Sequence, residues 1–241
     1  MKGIILSGGS GTRLRPLTKI TSKQLLPVYN KPMIYYPLNT LIKAGIKEIL
    51  IIVAPERAGD YLNLLGSGKE FGVKFTYEIQ DKPAGLPEAF VIGESFIGCD
   101  DVTMILGDNI FEDDFSSDIK NFKSGAKVFA KKVSDPERFG VVKFDDQMHA
   151  VQVEEKPQDW ISDYALTGLY VYDNRVVEVA KNCKPSARGE YEIVDLHRWY
   201  LERGELDVAM VNGEWLDAGT FESLLHAQNF AKEKMQDKMV I

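Results

Sequence analysis

The stretch GIILSGGSGTR, residues 3–13, carries the strongest local signal in the chain. Its apolar start is typical of a short buried strand, and its glycine-rich end is typical of the loop that follows such a strand. Glycine permits positive φ and lets backbone N–H groups come close to an anion, because no Cβ stands in the way. From these residues alone, a phosphate-binding loop and a tight turn without a ligand are about equally well supported.

Two common phosphate-binding motifs do not match the spacing of this loop. A Walker loop ends in Gly-Lys followed by Ser or Thr, whereas Gly11 is followed by Thr12 and Arg13. A dinucleotide-binding fingerprint requires a third Gly or Ala three residues after Gly11, where this chain has Leu14. The mismatches disfavour a Walker-type ATPase and a Rossmann oxidoreductase. We expect a loop of another kind, with Arg13 and Lys23 adding positive charge at its mouth.

The composition narrows the class of protein. With 241 residues, 44% hydrophobic and 27% charged, the chain is expected to be a soluble globular protein with a sizeable core. A net charge of −7 disfavours nucleic acid and membrane surfaces as partners, because both require a basic face. No apolar stretch reaches the length of a signal-peptide core or a membrane span, so a cytoplasmic location is expected.

The order of apolar segments predicts an α/β fold with a doubly wound, mainly parallel mixed sheet. In the first half, predicted strands alternate with predicted helices: strands at 3–6, 48–53, 74–79 and 102–106, and helices at 33–44, 60–65 and 88–96. The second half is richer in strands, expected at 126–133, 141–144, 151–154 and 166–172. We expect these to form an added β-rich layer.

The chain contains no linker that would divide it, so we expect a single domain over residues 1–241. Within that domain, residues 1 to about 125 and residues from about 126 to 241 are expected to form two parts. Helices are predicted at 174–181, 192–203 and 220–235. The last of them is expected to pack on the body through Phe221, Leu224, Leu225 and Ala231.

Two aspartates are candidate metal ligands. Asp108 follows an apolar strand and a glycine, and Asp217 lies in the sequence WLDAGT. Carboxylates at strand ends suit Mg²⁺, a hard cation that one or two carboxylates and the substrate's phosphates usually hold. An Asx-turn at Asp108 and a helix N-terminal charge at Asp217 are the alternatives, and neither residue is convincing alone. Together they would supply two carboxylates.

Several polar and aromatic residues are candidates for binding an anionic sugar. Lys156 is suited to a substrate phosphate and Glu155 to sugar hydroxyls, although composition alone favours a solvated charged turn there. Tyr170 and Trp215 offer flat apolar faces to a sugar ring, or they pack in the core. In the first half, the amide of Gln80 and the bare backbone of Gly85 could bind the edge of a base, and an ordinary loop would look similar.

Seven motifs together resemble the nucleoside-diphosphate-sugar pyrophosphorylases. They occur in the order GGSGTRL at 8–14, Lys23 with LP at 26–27, GDN at 107–109, RFGV at 138–141, EEKP at 154–157, TGLY at 167–170 and WLDAGT at 215–220. The resemblance extends from Met1 to about Ala231. Each motif is weak alone, and their order and number make the resemblance specific.

The resemblance implies a Rossmann-like nucleotidyltransferase fold and an enzyme that uses Mg²⁺. It also implies that residues 1 to about 125 form a nucleotide-binding part and residues from about 126 to 241 a sugar-binding part. The implied reaction joins dTTP and glucose 1-phosphate into dTDP-glucose and pyrophosphate, by in-line attack of the sugar phosphate on the α-phosphorus. The use of UTP or another sugar 1-phosphate is an alternative. A non-catalytic regulatory subunit that binds nucleotide sugars is a second alternative. The expected partners are these small molecules, and a homo-oligomer is an open option.

The resemblance also assigns roles to residues. Those implied in catalysis are Arg13, Lys23, Asp108, Lys156 and Asp217, with Asp108 and Asp217 as the metal ligands. Those implied in nucleotide binding are Leu6, Gly8, Gly9, Gly11, Thr12, Arg13, Gln24, Gln80, Gly85 and Asp108. Those implied in sugar binding are Gly140, Glu155, Lys156, Tyr170 and Trp215.

The chain departs from the usual pattern of the family at the base-binding segment. It has AGLPE at residues 84–88, where the family more often has Asp-Gly-Leu-Ala-Gln. The choice of base is therefore the least determined part of the prediction. The sequence ends at Ile241 without the longer C-terminal extension of many relatives. The assembly and feedback regulation associated with that extension are therefore not implied here.

Overall fold

A computed structural model describes residues 1–9, 11–235 and 239, so Ser10 of the glycine-rich loop lies outside the described residues. The fold is the predicted mixed α/β fold with a large, mainly parallel central sheet. No helix in these ranges has both the length and the apolar composition needed to cross a membrane.

The strands and helices follow one another along the described chain. The strands are β1 Lys2–Ser7, β2 Pro27–Val28, β3 Lys31–Pro32, β4 Glu48–Val53, β5 Lys74–Ile79, β6 Val102–Leu106, β7 Asn109–Phe111, β8 Ala126–Lys132, β9 Gly140–Phe144, β10 Ala150–Glu155, β11 Tyr164–Tyr172, β12 Leu206–Met210 and β13 Trp215–Asp217. The α-helices are α1 Tyr35–Lys43, α2 Ala58–Leu65, α3 Glu88–Ile92, α4 Glu94–Ile97, α5 Ser116–Lys120, α6 Val176–Lys181, α7 Ile193–Leu201 and α8 Phe221–Phe230.

The chain divides into two compact units that interleave along the sequence. The first contains the described residues within 1–83, 104–121 and 213–241, and the second contains residues 84–103 and 122–212. The boundary between them at residue 103 falls inside β6. A single domain with halves that meet near residue 125 stays a prediction.

Parallel strands form the sheet of the first unit. β4 pairs in parallel with β1 on one side and with β5 on the other, and Ile51 lies opposite Ile5 and Tyr77. The side chains of β4 from Ile49 to Val53 are fully buried, as predicted for a strand covered on both faces. Parallel strands end at the same edge, so the glycine-rich loop after β1 and Gln80 after β5 leave the sheet together.

The predicted β-rich layer is found in the second unit. β8 pairs antiparallel with β11 and in parallel with β12, while β9 pairs antiparallel with β10 and β11. The sequence analysis missed β12, because none of its five residues is fully buried and its apolar pattern is weak. It also missed β7 and β13, which have three residues each.

A cluster of buried apolar side chains packs around α8 in the first unit. Its members share near-complete burial, and they are Leu14, Leu26, Val28, Met33, Tyr36, Ile110, Leu216, Ala218, Leu224, Ala227, Phe230, Ala231 and Met235. The expected packing face of the last helix was half right. Leu224 and Ala231 are buried as expected, but Phe221 and Leu225 are 44% and 60% exposed. Ala227 and Phe230 are buried in the cluster instead.

The core of the second unit holds one imidazole in an aromatic stack. His197 on α7 is fully buried, and its ring lies nearly parallel to that of Tyr172, with the centroids 6.1 Å apart. Neither ring nitrogen has a hydrogen-bond partner among the described residues. Burial lowers the pKa of His197 from 6.5 to about 3, because the charged form has no solvation there.

Replacing His197 by Phe should therefore make the protein more resistant to acid. Below pH 6.5 the unfolded wild type binds a proton at this residue and the folded wild type does not, so wild-type stability is lost as the pH falls. The stability advantage of His197→Phe should grow by about 1 kcal/mol between about pH 7 and about pH 5.5. Urea denaturation at several pH values measures this difference.

The exposed His226 offers a matched control. The variant His226→Gln removes an imidazole from the surface of α8, and so controls for effects of losing a histidine that do not depend on burial. Parallel curves for wild type and His197→Phe would contradict the assignment of a neutral, buried imidazole.

Candidate active site

The two predicted metal ligands lie together in the first unit. β7 and β13 pair antiparallel, so that Asp217 lies opposite Asn109, the neighbour of Asp108. The backbone N–H of Ala218 donates to the carbonyl of Asp108 at 3.1 Å. On the other side, the N–H of Gly107 donates to the carbonyl of Leu6 at 3.0 Å, which ties the end of β6 to the end of β1.

Burial and charge act differently on the two carboxylates. Burial by itself raises the pKa of Asp108, but the Lys23 ammonium and hydrogen bonds outweigh it and the pKa is lowered. Burial and, after it, the charge of Asp108 raise the pKa of Asp217 to about 6, although the Lys23 and Arg13 cations oppose the shift. Oδ1 of Asp217 is buried and accepts no hydrogen bond from the described residues.

Two cations offset the negative charge of this pair. Lys23 Nζ donates to Oδ2 of Asp108, and their side chains are only 11% and 13% exposed. Arg13 lies against Gly219, where a Cβ would stand 2.7 Å from Nη2 of Arg13 and 2.9 Å from Oδ1 of Asp217. Gly219 therefore lets a guanidinium and a carboxylate approach the same backbone position.

Asn109 connects the metal-ligand candidate to an aromatic side chain. Its amide Nδ2 donates to Oδ1 of Asp108 at 3.0 Å, and its Oδ1 accepts a hydrogen bond from the Trp215 indole at 2.6 Å. Asn109 is 2% exposed and Trp215 is half-buried. The amide thus orients both the predicted metal ligand and the predicted sugar-contacting indole.

The glycine-rich loop packs against the end of β5. A Cβ on Gly8 would lie 2.1 Å from Oε1 of Gln80, so the absence of a side chain at Gly8 lets the amide of Gln80 approach the backbone. Gly11 has φ of +61°, a left-handed conformation suited to glycine, and its carbonyl accepts a hydrogen bond from Thr18 Oγ1 at 2.7 Å. Gly9 and Thr12 are exposed on the same loop.

Two residues predicted to bind nucleotide have internal roles. Leu6 is 8% exposed, within the sheet. Gln24 is 3% exposed, and its Oε1 accepts hydrogen bonds from Ser22 Oγ at 2.8 Å and from Tyr61 OH at 3.2 Å. Direct contacts of these two side chains with a ligand stay a prediction.

The predicted sugar-binding carboxylate lies in the second unit, at the end of β10. Glu155 pairs with Gly140 on β9, where a Cβ would stand 3.2 Å from Oε2 of Glu155. Lys156 Nζ lies 3.7 Å from Oε1 of Glu155. Lys156 adopts φ of +44°, which is uncommon for a residue other than glycine and indicates a backbone held in place by its surroundings. Burial raises the pKa of Glu155, although Lys156 opposes the shift.

Arg188 is a member of this cluster that the sequence analysis missed. Its Nη2 donates to Glu192 at 2.8 Å and to Glu155 at 3.4 Å. It lies on an exposed segment between α6 and α7, and no apolar pattern or strand end marks that segment in the sequence. The pairing with Glu155 is long-range, which is why local sequence reasoning did not find it.

The remaining predicted residues of the second unit differ in how accessible they are. Tyr170 is 3% exposed and lies in the core stack, with its ring centroid 5.4 Å from that of His197. Gly85 has φ of +127° and forms a parallel bridge with Tyr191. Its backbone is partly exposed, in keeping with the prediction that it approaches a ligand closely.

The carboxylates of the first unit fit a hard cation. Within the described ranges, no group of three or more His, Cys, Asp or Glu side chains is arranged to hold a metal ion. The two aspartates supply oxygen atoms only, and the buried Oδ1 of Asp217 lacks a donor. Such a pair suits an ion that takes its other ligands from water and substrate phosphates.

Comparison with known proteins gives consistent matches. A profile of the nucleotidyl transferase family matches residues 2–234. The glucose-1-phosphate thymidylyltransferase of Neisseria meningitidis serogroup A is 56% identical over 238 residues, which are 96% of this chain and 83% of that protein. These matches confirm the resemblance expected from the seven motifs.

Solved structures match over nearly the whole chain. A crystal structure from Bacillus anthracis, described as a glucose-1-phosphate thymidylyltransferase in complex with a sucrose, aligns with a TM-score of 0.91 and 49% identity. That alignment covers 97% of this chain and 96% of the other. A UDP-glucose pyrophosphorylase complexed with UDP-glucose aligns with a TM-score of 0.85 and 25% identity, over 97% and 98% of the two chains. The predicted Rossmann-like nucleotidyltransferase fold is confirmed.

The ion pair of Lys23 with Asp108 predicts a specific cost of removing the cation. Lys23→Met should destabilise the protein by about 3 kcal/mol at neutral pH, because a mostly buried carboxylate loses its partner. The double variant Lys23→Met/Asp108→Asn should recover most of this loss, since the unpaired charge is gone. Urea denaturation of the wild type and the two variants measures both effects, and a Lys23→Met variant as stable as wild type would contradict the pairing.

Proposed function

Since the chain belongs to the nucleotidyl transferase family, we propose that it transfers the thymidylyl group of dTTP to glucose 1-phosphate. The products are dTDP-glucose and pyrophosphate. The observation that carries the proposal is the 56% identity to the Neisseria glucose-1-phosphate thymidylyltransferase over 96% of this chain. The cluster of Arg13, Lys23, Asp108 and Asp217 supports catalysis, because a protein that only binds nucleotide sugars has little need of the whole set.

Asp108 and Asp217 are the proposed holders of Mg²⁺. Nucleotidyl transfer generally uses a divalent metal ion, which when bound neutralises charge on the triphosphate. Asp217 belongs to the small strand pair and Asp108 directly precedes it, and the buried Oδ1 of Asp217 is an acceptor without a donor in the described chain. With a pKa of about 6, Asp217 is mostly ionised at pH 7 and above, the form that binds a cation.

The first unit carries the proposed nucleotide-binding groups. Gly8, Gly9 and Gly11 would present backbone N–H groups to the triphosphate, and Arg13 would stabilise the negative charge that develops on the departing pyrophosphate. Lys23 would neutralise charge near the α-phosphorus. The other proposed nucleotide contacts are Leu6, Thr12, Gln24, Gln80 and, from the second unit, Gly85.

The sugar phosphate is assigned mainly to the second unit. Lys156 and Arg188 would bind its phosphate, because both cations are close to Glu155 and are 45% and 41% exposed. Glu155 would accept hydrogen bonds from sugar hydroxyls, and Gly140 and Tyr170 are the other proposed sugar contacts of this unit. Trp215, in the first unit, is proposed as a sugar contact on its own. The attacking phosphate oxygen is already anionic at neutral pH, so the reaction needs positioning and charge neutralisation rather than a general base.

The proposed choice of nucleotide is tested by competition. With glucose 1-phosphate and equal concentrations of dTTP and UTP, dTTP should be consumed faster, because the chain is 56% identical to a glucose-1-phosphate thymidylyltransferase. Separation of the two sugar nucleotides by chromatography, together with pyrophosphate release, measures the ratio. Faster use of UTP would place the chain with the UDP-glucose pyrophosphorylases, and absence of turnover with either would favour a regulatory binding protein.

The metal assignment predicts opposite effects of one substitution on activity and on stability. Asp217→Asn should lower turnover by about 100-fold or more, because a charged group aimed at the reacting phosphates is lost. The same variant should be at least as stable as wild type, since it removes a buried charge beside Asp108. Pyrophosphate release over a Mg²⁺ titration and urea denaturation measure the two effects.

Asp60 provides the matched control for that variant. It lies on α2 in the same unit and its side chain is 48% exposed, so Asp60→Asn removes the same charge away from the cluster. The control should keep wild-type turnover and the wild-type Mg²⁺ requirement. If Asp217→Asn behaved like Asp60→Asn, the metal role of Asp217 would be wrong.

A further inference from the structure

The segment between α6 and α7 has a defined backbone although most of its side chains are exposed. Ser186 N donates to the carbonyl of Glu190 at 2.8 Å, and Gly189 N donates to the carbonyl of Ser186 at 2.9 Å. These bonds close a compact turn around Arg188. The turn presents the guanidinium from a fixed base rather than from a flexible loop.

Tyr191 attaches the end of this segment to the chain near Gly85. Its N–H donates to the carbonyl of Ala84 at 2.8 Å, and it forms a parallel bridge with Gly85. A Cβ on Gly85 would stand 2.1 Å from the carbonyl oxygen of Tyr191, so the approach requires glycine. The attachment holds the backbone directly before Glu192.

The Glu192 carboxylate accepts hydrogen bonds from this segment and not from its own helix. It is the N-cap residue of α7, with φ of −93° and ψ of 133°, but its side chain makes no capping bond to the described first turn. Instead, Oε1 accepts from Ser186 Oγ at 2.6 Å and from Arg188 Nε at 3.2 Å, and Oε2 accepts from Arg188 Nη2 at 2.8 Å. The Glu192 side chain is 12% exposed, against 41% for Arg188.

The two-point contact limits the motion of a long side chain. Arginine has many rotamers, and an anion that binds a freely moving guanidinium must pay the entropy of ordering it. A carboxylate that accepts from both Nε and Nη2 fixes the plane of the guanidinium. Among the described contacts of Arg188, none uses Nη1. That nitrogen is therefore available to an incoming anion.

Glu155 cannot replace Glu192 in this role. Its contact with Arg188 is longer, at 3.4 Å, and it involves one nitrogen only. Under the proposed function, Glu155 also turns to the hydroxyls of the sugar. Glu192 is then the carboxylate that stays hydrogen-bonded to Arg188 while substrate is bound.

We propose that Glu192 is a positioning residue that holds the Arg188 guanidinium ready for the phosphate of the sugar 1-phosphate. It acts through Arg188 and does not itself touch the substrate. This inference rests on the proposed function and deepens it. It explains how the second unit could bind the sugar phosphate through Arg188, although the side chain of Arg188 is 41% exposed.

The test is steady-state kinetics of the full chain with dTTP and glucose 1-phosphate, each varied in turn. Glu192→Gln keeps the size of the side chain and removes its charge. It should raise KM for glucose 1-phosphate about tenfold, and leave kcat and KM for dTTP within about twofold of wild type, because only the organisation of one substrate's site is changed. In an Arg188→Ala background, the same substitution should change that KM by less than about twofold, since the group it positions is gone.

Two further variants separate positioning from a general effect of charge or folding. Glu190→Gln removes a charge two residues away on the same segment and should leave all three constants unchanged. Glu192→Asp keeps the charge and should have a KM for glucose 1-phosphate closer to wild type than Glu192→Gln has. A loss of kcat with every substrate, without a selective change in KM, would indicate a structural role and overturn the proposal.

The outcomes distinguish this proposal from the one it rests on. A wild type that turns over no sugar 1-phosphate would overturn the proposed function and this inference with it. An active wild type in which the Glu192→Gln and Arg188→Ala effects simply multiply would overturn the positioning role alone. Non-multiplying effects confined to KM for glucose 1-phosphate would support it.

Discussion

Two like-charged carboxylates held side by side are the constraint on which the first unit depends. Asp108 and Asp217 are brought together by three-residue strands, and burial by itself raises the pKa of both. Lys23 pairs with Asp108 and keeps it ionised, whereas Asp217 has a raised pKa and a buried oxygen without a donor in the described chain. The unit thus contains two buried carboxylates, of which one is paired with Lys23 and the other keeps a raised pKa.

The packing of the core explains how such a costly arrangement is held. Two of the charged site residues have direct neighbours in the cluster around α8. Leu14 follows Arg13, and Leu216 and Ala218 flank Asp217, and all three apolar residues are less than 10% exposed. The backbone that carries Arg13 and Asp217 is therefore fixed by the packing of the core.

Local signals in the sequence predicted the parallel strands and the candidate carboxylates. A continuous apolar run such as β4 predicts its own burial, and a polar residue just after such a strand, as at Asp108, predicts its place at the sheet edge. The roles of Asn109 and Arg188 could not be predicted in this way. Each depends on a contact with a residue distant in sequence, which is Trp215 for Asn109 and Glu155 for Arg188. Neither contact produces a periodic pattern in the sequence.

The two units differ in which charged side chains are accessible, and this difference follows from burial. In the first unit the carboxylates are buried, and Oδ1 of Asp217 accepts no hydrogen bond from the described residues, which suits a cation as the ligand. In the second unit Glu155 and Glu192 are mostly buried, while Lys156 and Arg188 are more than 40% exposed, which suits an anion as the ligand. A reaction between a metal-bound triphosphate and a sugar phosphate supplies one of each. The charge pattern of the chain therefore matches a two-substrate transfer better than the binding of a single ligand.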